Sequence, residues 1–73
     1  MNELDLKILI ERIIKNAKDA KKDVLKNKDD FSYGKILAYF EVLSTIKNEL
    51  EENEIDIKKY KLTDENINEF IIK

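Results

Sequence analysis

The sequence predicts an all-α fold, an antiparallel hairpin of two long helices carrying a short C-terminal helix, assembled as a dimeric helical bundle. Three observations predict it. Apolar residues recur at alternating steps of three and four along residues 6–24 and again along residues 36–50, the spacing that keeps one face of a helix apolar. No proline interrupts either run. The link between them, "KNKDDFS", is so short that the second helix must turn back along the first.

The first seam is Leu6, Ile10, Ile13, Ala17, Ala20 and Val24, and it predicts a helix over 3–27 that is roughly 37 Å long at 1.5 Å per residue. Glu3 and Asp5 sit in its first turn, and Lys26 and Lys28 at its end, which complements the helix dipole. The two alanines narrow the seam, so a partner helix can approach closely there and must bring bulk. In the link, Asp30 and Ser32 are both candidate N-caps. With Ser32 as the cap, Phe31 stands just outside the helix and staples against Ile36.

The second helix then covers 33–52. Ile36, Tyr39, Leu43, Ile46 and Leu50 form its seam, and Tyr33 and Phe40 widen the apolar stripe. At "LEENEID" acidic residues gather at the negative end of the dipole, and Asn53 is an acceptable left-handed stop. The piece "EIDIKKYKL" alternates too briefly for a strand and reads as an extended connector, although Ile57 leaves open a continuation of the helix toward Tyr60. In "LTDENINEFII", Thr63 caps, Asp64 and Glu65 fill the first turn, and Leu62 can staple to Ile67. These signals predict a final helix over 64–72, with Ile67, Phe70 and Ile71 as its apolar face; it is too short to stand alone in water.

A chain of 73 residues is one domain, and a domain this small buries only roughly 60% of its unfolded surface. Without cysteine there is no disulfide to add stability, so helix packing or oligomerisation must supply it. Charged residues make up 41% and apolar ones 42%, too hydrophobic for a disordered tail and too charged for a membrane span. The acidic start "MNELD" lacks the basic, then apolar pattern of a signal peptide, which implies the cytoplasm. Net charge is −2. The basic residues lie mostly in 1–28 and the acidic ones in 29–73, a split that suits a hairpin or a self-complementary dimer. A chain that is acidic as a whole is not a nucleic-acid binder by composition.

With no histidine, no cysteine and a single glycine, the usual general base, nucleophile, metal ligands and phosphate loop are missing. The expectation is no enzyme, no cofactor and no metal. The acidic run Glu51, Glu52, Glu54 and Asp56 lacks the calcium-loop spacing and its turn glycine, so it reads as a solvated helix end. Lys15, Lys18, Lys22 and Lys26 share an outward face of the first helix, with Asp19 and Asp23 beside them at salt-bridge spacing. That face reads as solubilising rather than phosphate-binding. Leu4 and Ile8 point away from the seam and are expected to be covered by the C-terminal helix or a second chain, the alternative being two tolerated surface apolar residues.

The second helix carries a further apolar edge behind its seam. Gly34, Ala38 and Thr45 line that side with Glu41, flanked by Leu37 and Val42. Small residues let another backbone approach, and the aliphatics supply contact area. Gly34, Leu37, Ala38, Val42 and Thr45 are therefore the predicted protein-binding edge, its partners being a second copy of the chain and an unidentified protein. The alternative is a phage-type inhibitor that blocks a nucleic-acid-binding enzyme through an acidic face of Glu41, Glu49, Glu51, Glu52 and Glu54. The stretch "YGKILAYFEVL", followed by an acidic linker and the pair in "IDI", resembles a segment of short helical proteins from low-GC Gram-positive bacteria and their phages and mobile elements. The resemblance spans residues 33–57 and implies a helical fold but no activity.

Overall fold

The computed structural model describes residues 2–71 and is all-α, with three helices and one 3₁₀ turn in the order α1 (Glu3–Asn27), α2 (Asp30–Glu52), the 3₁₀ turn Ile57–Tyr60, and α3 (Asp64–Ile71). α1 and α2 lie antiparallel along the long axis of a body measuring 38 × 19 × 16 Å, and α3 packs across both. Among the described residues no helix is long and apolar enough to cross a membrane.

α1 has the predicted limits. The Asn2 side chain accepts a 2.8 Å hydrogen bond from the Asp5 N–H, and at the other end Lys28 turns left-handed (φ 45°) and donates its N–H to the Val24 carbonyl. Both devices satisfy backbone groups that a helix end leaves open. Ile10, Ala17, Ala20 and Val24 of the seam are buried, and Leu6 and Ile13 flank the core.

The start of α2 differs from the expectation. Asp29, not Ser32, is the N-cap: its carboxylate accepts a 2.8 Å hydrogen bond from the Ser32 N–H, and its carbonyl accepts from the Tyr33 N–H. The helix therefore begins three residues early, after a link of only Lys28 and Asp29. Phe31 becomes a first-turn helical residue pointing to solvent, 80% exposed, so the staple with Ile36 does not form. Ser32 is buried instead, and Tyr33, read as bordering the seam, is more than half exposed. Tyr39 and Phe40 pack against the core as expected.

The end of α2 also differs in detail. Asn53 stays right-handed (φ −92°) and its side-chain amide donates to the Glu49 carbonyl at 2.8 Å; Glu54 takes the left-handed position (φ 59°). The Ile55 N–H then reaches back to the Leu50 carbonyl, which closes the helix end. Beyond Ile55 the chain is not the extended connector expected. Asp56 accepts from the Lys58 N–H, Ile57–Tyr60 make a 3₁₀ turn, and Lys61 turns left-handed, which places Tyr60 and Leu62 inside.

Thr63 caps α3 as expected, its hydroxyl accepting from the Asn66 N–H at 3.2 Å. Leu62 and Ile67 both enter the core. Ile72 and the side chains of Phe70 and Ile71 lie outside the described residues. The centre of the core is built from Ile10, Ile14, Ala17, Leu43, Leu50, Tyr60, Leu62 and Ile67. Ile14 is one step off the predicted seam. It is buried because the C-terminal segment packs against that side of α1.

Lysines tie this segment to the hairpin. Lys47, on α2, sits 3.1 Å from both Glu51 and Asp64, with its side chain only 15% exposed. Hydrogen bonding to Glu51 first, and then to Asp64, raises its pKa above the usual lysine value, so the ammonium keeps its charge well beyond neutrality. Lys21 donates to the Glu69 carbonyl at 3.0 Å, and Lys59 reaches Glu3 at 3.4 Å.

Leu62 is fully buried, so Leu62→Ala is expected to lower unfolding free energy by about 2 to 5 kcal/mol, read from urea denaturation. The hydrogen bond from the Ser32 N–H holds the Asp29 carboxyl below its ordinary value of 3.8. A lowered folded-state pKa adds stability that is complete above the unfolded value and lost as pH falls through the folded one. Melting temperature should therefore drop more steeply below about pH 4 in the native chain than in Asp29→Asn.

Candidate interaction surface

A helix in a two-helix hairpin needs one apolar face, and α2 carries further apolar side chains, Phe31, Leu37 and Val42, exposed outside it. Leu43 and Leu50 point into the core. At about 3.6 residues per turn, Gly34, Glu41 and Thr45 fall on the opposite side, with Ala38 beside them and Leu37 and Val42 at its two margins. All of these residues are exposed, Leu37 at 61% and Val42 at 43%. The five residues of the predicted binding edge thus lie together on the outward face of α2.

The surface between them is indented. Ala38, Glu41, Val42, Thr45 and Ile46 line a shallow groove of about 390 Å³. The Thr45 hydroxyl donates to the Glu41 carbonyl at 2.8 Å, so its polarity is satisfied within the helix. At Gly34 an added Cβ would meet nothing within 4 Å. No turn, positive φ or close intramolecular approach requires a glycine there, although glycine inside a helix costs about 1 kcal/mol relative to alanine.

Sequence reasoning missed Phe31 as part of this surface. Because α2 starts at Asp30, Phe31 lies on the same stripe three residues before Gly34. The available signal was Asp29, three residues ahead of Ser32, which is the spacing at which an N-cap carboxylate reaches a backbone N–H. Leu4 and Ile8 are not covered by the C-terminal helix and remain exposed.

The other candidate residues are more dispersed. Glu51 is engaged by Lys47, Glu49 accepts a long hydrogen bond from Asn53, and Glu54 occupies the left-handed turn. Glu49 and Glu51, two positions apart, point to opposite sides of the helix. Lys15, Lys18, Lys22 and Lys26 are all exposed, and Lys15 pairs with Asp19 at 3.5 Å. Lys18, Lys21, Lys22 and Leu25 form one wall of a larger open groove, about 950 Å³, whose other wall is Glu65, Asn68 and Glu69 of α3. That groove is mixed in charge. Among the described residues no three acidic side chains are placed to hold a metal ion. The shifted ionisations, at Asp29 and Lys47, are accounted for by a helix cap and by ion pairs.

No family model matches the chain, and neither a curated protein nor a solved structure is significantly similar to it.

With open space above Gly34, Gly34→Ala should raise unfolding free energy by about 1 kcal/mol in dilute solution. Urea denaturation checks it; a loss of stability would show that the position is crowded.

Proposed function

We propose that the chain is a small, non-catalytic, cytoplasmic protein-binding module that works through the outward face of α2. The observation that carries this reading is a set of exposed apolar side chains around a small-residue groove, on a helix whose core face is already complete. Phe31 and Val42 stand exposed on one flank, where Val42 lines a shallow groove, and Leu37 stands exposed on the other. Scattered single apolar residues are ordinary on a protein surface, but Phe31 and Val42 on one line beside a groove have the pattern of a helix-recognition surface. The glycine at Gly34, which the fold itself does not require, supports the same reading, since it keeps that surface open. The absence of histidine and cysteine supports binding over catalysis.

The test is photo-crosslinking in cells. A benzophenone side chain placed at Val42 is expected to join the chain to a protein, whether a second copy or another. The same probe at Lys15, on the solvated face of α1, is expected to give little product. The double variant Leu37→Lys, Ala38→Glu should abolish the Val42 adduct while leaving the circular dichroism spectrum unchanged, because both positions are exposed. Equal adducts at the two probe sites, or an adduct at Val42 that survives the double variant, would overturn the assignment.

A further inference from the structure

We propose that residues 53–61 are a hinge with two states. In the bent state described above, residues 56–71 are strapped into the groove between α1 and α2. In a minor, straight state α2 runs on as a helix through Tyr60 and the strap is released.

The seam of α2 does not stop where the helix does. Ile36, Leu43 and Leu50 recur every seven residues, and the next step is Ile57; Tyr39 and Ile46 do the same, and the next steps are Asn53 and Tyr60. A helix continued through this segment keeps one stripe from Ile36 to Tyr60, with Asn53 as its single non-aromatic polar position. No glycine or proline lies between Leu50 and Tyr60 to forbid it.

Charge favours the longer helix as well. α2 ends on Glu49, Glu51 and Glu52 with no basic residue in its last turn, the arrangement that the helix dipole opposes. Extended through Tyr60, the helix would carry those carboxylates in its interior and finish among Lys58, Lys59 and Lys61, where cations are favoured. It would also gain Glu54 and Lys58 at the stabilising four-residue spacing. The bend, by contrast, has a steric cost: Glu54 is left-handed, φ 59°, a conformation that suits glycine and crowds a side chain with a Cβ.

The strap holds the bent state. Tyr60, Leu62 and Ile67 are buried in it, and Lys47 reaches Asp64 at 3.1 Å. The straight state gives these contacts up. α2 is antiparallel to α1 and nearly as long, so a continued helix carries Ile57 and Tyr60 beyond the start of α1. Lys47 keeps Glu51 in both states, since the two are four residues apart on α2. A local preference for the straight helix is thus set against a tertiary preference for the bend, which is how a short segment becomes a two-state element.

Amide hydrogen exchange of the full chain under native conditions, followed by NMR, tests the release. The Leu62 and Ile67 N–H groups, bonded to the Ile57 and Thr63 carbonyls, are expected to exchange about tenfold or more faster than those of Ala17 and Leu43 in the hairpin. Equal rates would mean that the strap leaves only when the whole molecule unfolds, and would overturn the proposal. Glu54→Gly, which suits the bend and opposes a helix there, should slow Leu62 and Ile67 about fivefold. Asn53→Leu, which completes the stripe of the longer helix, should speed them about tenfold. The reverse order, or no change in either variant, overturns the hinge. In the double variant Asn53→Leu, Asp64→Lys, which also sets two ammonium groups together at Lys47, the Cα chemical shifts of Glu54, Ile55 and Asp56 should move to helical values. Shifts that stay where they are or move toward random coil overturn the straight state, since a strap that merely detaches would not extend α2.

Discussion

Two helices side by side cannot enclose a core, because the seam between them stays open to water along at least one flank. The rest of this fold depends on closing that flank. Ile10, Ile14 and Ala17 of α1 and Leu43 and Leu50 of α2 present a trough, and the chain after α2 fills it with Tyr60, Leu62 and Ile67. The turn at Asn53 to Ile55, the 3₁₀ turn and the left-handed Lys61 all redirect the backbone so that these three side chains arrive from one direction. A longer α2 would have carried Tyr60 past the trough.

That dependence explains which features were legible in the sequence. Periodicity is a local property, and α1, whose caps and seam are local, is where it predicted both ends correctly. Ile14 was not recognisable as core, since its burial comes from residues more than forty positions away. Lys47 is a similar case. On α2 it reads as one more charged residue, and only the docking of α3 brings Asp64 to it. The N-cap of α2 was misplaced because Asp29, Asp30 and Ser32 compete within four residues, and the choice turns on how tightly the two helices are joined. The outward edge of α2 was readable because its pattern lies within one helix; Phe31 was left out of it only through the cap.

The lysines divide by environment rather than by position on a helical wheel. Lys47, largely shielded by its two carboxylates, joins α2 to α3. Lys21 supports the same docking through a backbone carbonyl. The pair between Lys59 and Glu3 is open to solvent on both sides, where such pairs contribute little. The separation of charge between the two parts of the chain is thus used partly inside the molecule.

The two-residue connection at Lys28 and Asp29 has a consequence for the energy landscape. α2 places Leu43 and Leu50 in the core, with Ile36, Tyr39, Phe40 and Ile46 packed against it, so its apolar pattern already selects the side that faces α1. The short connection enforces the same choice, because one residue more or less would turn α2 by about 100° about its axis relative to α1. Asp29, connector and N-cap at once, therefore fixes the phase of α2 in agreement with its apolar pattern and leaves Val42 facing outward.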